Sequence, residues 1–217
     1  MGVRCRDWLS SPSDGEGRAG AASSRSMRLA VRALPALLAL LAFPSIAFAT
    51  QVEALSMREL VEGADHIVVG TVVAQQAHYD DLDRIVTDST IRVEETLHGA
   101  RSETLVVRHI GGVVGELGLS VAGEGRYADG ARMLLFLRSF DSGDAGVVMR
   151  PVGMSQGEMP IVDGATGEVV LPGAAGVSVV TRMPDGQLVP APAAITAPAP
   201  RDELLARVRD LVAEVHP

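Results

Sequence analysis

Residues 66–97 read HIVVGTVVAQQAHYDDLDRIVTDSTIRVEETL, and the fold turns on this stretch. His66 to Ala77 is rich in Val and Ile, which pack well on a pleated surface, so it predicts a strand. Tyr79-Asp80-Asp81-Leu82-Asp83-Arg84 is a polar turn. From Ile85 to Leu97, Val86, Asp88, Thr90, Arg92 and Glu94 alternate loosely with Ile85, Thr87, Ile91, Val93 and Glu95, which predicts a second strand. Two long strands joined by a short polar turn make an antiparallel hairpin.

The pattern continues on both sides. Upstream, Ser56-Met57-Arg58-Glu59 fits a capping box, so a short helix should run from Met57 to Glu62 and stop at Gly63. Downstream, His98-Gly99-Ala100 turns the chain and Thr104 to Ile110 reads as a third strand. Gly111-Gly112 opens a glycine-rich segment reaching Gly125, within which Leu117, Leu119 and Val121 alternate as a short strand. Met133 to Phe140 is the most apolar run and reads as a central strand, because strands covered on both faces lose polar alternation. Val147 to Met154, Met159 to Val162, Glu168 to Leu171 and Val177 to Arg182 are shorter strands. Turn signals every 8–15 residues suit an all-β barrel or sandwich. Residues 183–200 read as an extended linker, Pro/Ala-rich from Gln187 onward with Pro190, Pro192, Pro198 and Pro200. In the last segment, 201–217, Leu204, Leu205, Val208, Leu211, Val212 and Val215 form one apolar stripe on a helix from Arg201 to Val215. That stripe needs a cover, either the β domain or a partner.

Three runs carry a family resemblance: Ala64-Asp65-His66-Ile67-Val68-Val69-Gly70-Thr71-Val72, Ile91-Arg92-Val93-Glu94-Glu95-Thr96-Leu97-His98-Gly99, and Gly130-Ala131-Arg132-Met133-Leu134-Leu135-Phe136-Leu137. Together they resemble netrin-like modules, the group that includes tissue inhibitors of metalloproteases, over about residues 60–140. The resemblance also extends to exported bacterial proteins built on a cysteine-free version of the same scaffold. It implies a five-stranded OB-type barrel with flanking helices. The expected fold is therefore mainly β: an antiparallel OB-like barrel over 50–182, with a short N-terminal helix and a C-terminal amphipathic helix. The animal inhibitors chelate the protease metal through an N-terminal cysteine, which this chain lacks after residue 49, so that inhibitory route is not carried over.

The leader is read from residue types. Met27 to Arg32 is a basic n-region, Ala33 to Phe43 an apolar h-region, and Ala47-Phe48-Ala49 a small-residue cleavage site. Residues 27–49 thus predict a signal peptide, and residues 1–26 a non-native extension ahead of the true start. The protein is expected to be exported, to a periplasm or outside the cell. No later apolar run reaches the length of a span. The formal charge is −8. The leader holds six Arg against three acids, so the remainder has 13 Arg against 24 acids, a net of −11. That field disfavours nucleic-acid backbones. The single cysteine, Cys5, lies in the leader, which excludes disulfides and cysteine nucleophiles beyond it.

Candidate chemistry is sparse. His78, Asp80, Asp81 and Asp83 place three carboxylates and an imidazole in one turn, a donor set suited to calcium, although the spacing is not that of an EF-hand. The other reading is a solvated hairpin tip. Gly111 and Gly112 are candidate binding positions, but no Gly-Lys-Ser/Thr follows, so turns account for the glycines better than a phosphate cradle. No His-x-x-x-His pair supports a zinc hydrolase. Gly153-Met154-Ser155-Gln156-Gly157 fits the bare Gly-x-Ser-x-Gly string, but both sides read as β rather than strand-to-helix. The expected function is a non-enzymatic, exported protein-binding module with an exported protein as partner and no required cofactor. Its candidate surfaces are the tip 78–84, the glycine-rich segment 111–125 and the helix 201–215. The alternatives are a hydrolase using His109, Ser155 and an acid such as Asp163, and a calcium-stabilised structural domain.

Overall fold

The capping box predicted at Ser56 is present. The Glu59 backbone N–H donates to Ser56 Oγ at 3.2 Å, and the Ser56 N–H donates to Glu59 Oε2 at 2.7 Å. It starts helix α1 (Met57–Glu62), which Gly63 ends. The computed structural model describes residues 51–143, 146–174 and 176–217, so the expected leader lies outside the described residues. These residues belong to one unit, 48–217. Its strands in chain order are β1 (Gln51–Glu53), β2 (His66–Tyr79), β3 (Ile85–His98), β4 (Thr104–Val114), β5 (Leu117–Ser120), β6 (Arg132–Asp141) and β7 (Val147–Pro151). A 3₁₀ turn (Met154–Gly157) leads into β8 (Glu158–Gly164) and β9 (Gly167–Val170). There follow β10 (Ser178–Arg182), β11 (Leu188–Pro190), β12 (Ala199–Pro200) and helix α2 (Arg201–Val215).

β2 and β3 form the expected long antiparallel hairpin. Its ladder shifts register at three places, which twists the pair. The large sheet has the order β12-β9-β8-β6-β2-β3-β4-β5. β7 pairs antiparallel with β6 and, at the single position Val107↔Met149, parallel with β4. One bridge does not amount to a continuous ladder, so the sheets are not a closed barrel. The fold is mainly β with two helices, as the sequence implies.

Two hydrophobic cores lie on opposite faces of the central strands. Ile67 and Val69 of β2, with Leu134 and Phe136 of β6, pack beneath the helices, together with Leu60 and Val61 of α1 and Leu204, Leu205 and Val208 of α2. Val68 and Val72, with Met133, Leu135 and Leu137, point the other way, toward Ile91, Leu105, Val107 and Met149. Successive strand residues face opposite sides, so a strand buried on both faces must be apolar throughout. That is the physical reason for the unbroken runs in β2 and β6.

The apolar stripe of α2 is covered by its own domain. The stretch 183–200, composed like a linker, carries β11 and β12 and places Ile195 in the helix-side core. Composition misses this because a Pro/Ala run supplies short edge strands without any periodicity. β1 runs parallel to β10, which pairs antiparallel with β11. The buried Gln156 ties this part to the turn: its amide donates to Glu53 O at 2.9 Å and accepts from Leu55 N–H at 3.0 Å.

Candidate functional site

One end of the second core is polar. Along β4 the inward face runs Leu105, Val107, His109, so the alternation that buries two apolar residues also buries an imidazole. His109 Nε2 meets Oε1 of Glu158, the first residue of β8, and both side chains are almost fully buried. Tyr127 Oη donates to the same oxygen at 2.7 Å, and its ring packs edge-on against His109 with centroids 4.7 Å apart. Burial pushes the Tyr127 phenol well up, and the neighbouring Glu158 carboxylate adds to the shift. Gly125 backs this group. A Cβ there would sit 1.9 Å from Glu158 Oε2, so any side chain at this position must push aside a carboxylate held by His109 and Tyr127.

A cleft of about 510 Å³ opens beside the buried group. Its wall combines β6, β7, the end of the glycine-rich segment and the 3₁₀ turn. Arg138 of β6 and Arg150 of β7 are direct register partners, so both side chains leave the same face. Arg138 Nε donates to Gly63 O at 3.2 Å. The Arg150 guanidinium carbon lies 5.5 Å from the Phe140 ring centroid. Phe140, two residues beyond Arg138, is 43% exposed. Leu55, Val152 and Met154 add apolar lining. Glu124 contacts Arg150 at 3.5 Å and accepts the Ile110 N–H at 3.1 Å. A smaller cavity of about 170 Å³ is lined by Thr87, Gly111, Gly112 and Tyr127, and it shares His109, Glu124 and Gly125 with the larger cleft.

No family model, curated protein or solved structure matches the chain. The site therefore rests on its own geometry.

The residues singled out from sequence fall in three places. His78 sits near the hairpin end, where its Nδ1–H donates to Tyr79 O at 2.9 Å and Nε2 lies 3.0 Å from Asp88. The Tyr79 carbonyl and Asp88 raise its pKa. Burial alone would raise the Asp88 carboxyl, but Arg108, donating from Nε and Nη2 at 2.7 Å each, and His78 hold it below the usual range. Asp80 is spent on Arg84, which bonds it through Nε at 2.9 Å and Nη2 at 2.6 Å, and on the Leu82 and Arg84 amides. Asp83 takes a left-handed backbone at φ 55°. Among the described residues, no three His, Cys, Asp or Glu side chains gather in a way that could hold a metal ion. The tip 80–84 is thus a self-bonded turn.

Gly111 and Gly112 are not a loop. β4 continues through both and pairs them with Ser120 and Leu119 of β5. Both have positive φ, and a Cβ on Gly112 would lie 2.4 Å from Thr87 Oγ1, so they kink the strand against β3. Of the hydrolase set, His109 is engaged by Glu158, Ser155 is buried in the 3₁₀ turn, and Asp163 lies exposed on β8 opposite Glu168.

Arg138, Phe140, Arg150, Tyr127 and Glu158 are absent from the candidate set that the sequence suggests. One signal was available: Arg138 interrupts the most apolar strand, and a guanidinium there needs a reason. Its pairing with Arg150 depends on strand register, which spacing alone does not reveal.

Proposed function

We propose that this chain is an exported, non-enzymatic binding module whose partner sits in the cleft beside the glycine-rich segment. The cleft itself carries this reading. It joins an exposed aromatic ring, an apolar wall and a few charged groups, the mixture by which binding pockets combine affinity with orientation. Of the three candidate surfaces, the 111–125 segment reaches the cleft through Glu124 and Gly125. The tip 80–84 is bonded to itself, and α2 buries its stripe against its own domain.

An OB-type barrel is the scaffold we assign. The continuous pairings of β2 with β3, β3 with β4, β6 with β7 and β6 with β2 support it, and the single bridge Val107↔Met149 brings β4 and β7, the two ends of that run, side by side without closing it. A cysteine-free, netrin-like scaffold is the reading we attach to this strand order, and it favours a protein as partner.

The test is capture from the host's own exported fraction on immobilised protein, with bound material identified by mass spectrometry. The reading expects one stoichiometric protein whose recovery falls when Phe140 is replaced by Ala. Recovery unchanged by Phe140→Ala would place the interaction elsewhere.

A further inference from the structure

We propose that the cleft recognises a carboxylate of its partner polypeptide, held between Arg138 and Arg150. This rests on reading the cleft as the binding site, and it adds the chemistry of the ligand. Directly opposed like charges on paired strands are unfavourable. Here two guanidinium groups occupy one cross-strand pair and one cleft. The acids nearby are largely committed elsewhere. Glu59 accepts from Ser56 N and Ser56 Oγ, both at 2.7 Å. Asp65 accepts the Ser139 N–H at 2.8 Å, which chiefly holds its carboxyl below the usual range, and the Arg138 charge adds to that without a direct ion pair. Glu124 divides itself between the Ile110 amide and a long contact to Arg150.

Each guanidinium has five N–H donors. Among the described residues, Arg138 spends one on Gly63 O and Arg150 one on Glu124. An incoming carboxylate would match the planar fork of either side chain and relieve the repulsion between them. Phe140, Leu55, Val152 and Met154 lie in the same cleft, so an apolar side chain beside the carboxylate has a surface to bury against. A small inorganic anion would leave that surface unused. The carboxylate can come from the partner's C-terminus or from an Asp or Glu side chain, and the probes below separate the two.

The experiment follows the Arg Nε–H resonances of the full chain by ¹⁵N NMR at constant ionic strength, assigned by their loss in Arg138→Gln and Arg150→Gln. The probes are acetyl-Ala-Leu with a free carboxylate, acetyl-Ala-Leu-amide, acetyl-Leu-Glu-amide and inorganic phosphate. The proposal expects saturable shifts of both resonances with an acid-bearing peptide and none with the neutral amide. Shifts with acetyl-Ala-Leu assign a chain terminus, and shifts with acetyl-Leu-Glu-amide an acidic side chain. Arg150→Gln should weaken peptide binding about tenfold, and Arg150→Lys less, with unchanged thermal melting. Shifts with neither acid peptide, or with phosphate alone, would overturn the proposal. A partner captured equally well by Arg138→Gln and Arg150→Gln would also overturn it, while leaving the cleft as a binding site. Peptide shifts without any captured protein would keep the carboxylate site and remove the protein partner.

Discussion

A methyl group at position 125 has nowhere to go. Glu158 Oε2 lies 1.9 Å from where it would sit, and Glu158 is held in turn by His109 and Tyr127. Gly125→Ala should therefore cost about 2 kcal/mol, the usual scale of overpacking, as read by urea denaturation. Tyr127→Phe keeps the ring and removes one donor from a buried carboxylate, for a loss of about 1–3 kcal/mol. Equal stability of either variant with wild type would show that the polar end of the core is loosely held.

Histidines set opposite pH responses. His98 stacks on His216 with ring centroids 4.0 Å apart, and burial, then His216, then His66, depress its pKa. Asp65 opposes that shift weakly. A depressed histidine pKa means the unfolded chain takes up the proton first. Its stabilising contribution is then present above about pH 6.5 and is lost as pH falls through the folded value. His78 is raised, so its contribution is full below about pH 6.5 and is lost as pH rises through the folded value. In melts across this range, His98→Gln should flatten the acid side of the stability profile and His78→Gln the alkaline side. The reverse assignment would contradict the geometry.

At the scale of elements, local signals were legible and long-range pairings were not. The capping box, the glycine stop and the single apolar stripe mark α1 and α2 because a helix is defined by neighbours three and four residues apart. The β2–β3 hairpin was legible for a similar reason: its turn lies between its strands. By contrast, the β4–β7 bridge and the Arg138–Arg150 pair join segments whose register no local pattern encodes. The continuation of β4 through Gly111 and Gly112 was hidden because glycine usually ends a strand.

Docking of α2 rests on Leu204, Leu205 and Val208, all essentially inaccessible. It also rests on a charged chain from Arg132 through Glu168, Arg201 and Glu95 to Arg209. Leu204→Ala should cost about 2–5 kcal/mol and raise amide exchange along α2. Ser56→Ala should cost about 0.5–2 kcal/mol. Removing Glu95 should matter much less, since exposed ion pairs contribute about 0–1 kcal/mol.

At the scale of the whole molecule, β2 and β6 separate a helix-covered core from a second core that ends in His109, Tyr127 and Glu158. The cleft lies beside that polar end. It borrows Arg138 and Phe140 from the exposed end of β6, just beyond the buried run Met133–Leu137. The surface tip carries Leu82, 70% exposed, and Asp80 bonds it to itself through Arg84 and the Leu82 amide, so it offers a built-in control.

The most direct measurement is site-specific photo-cross-linking in the host. A photoreactive phenylalanine analogue is placed at Phe140 in one protein and at Leu82 in another. The account predicts one discrete cross-linked protein from position 140 and none from position 82. Cross-links from position 82 alone, or from neither position, would contradict a partner seated in the cleft.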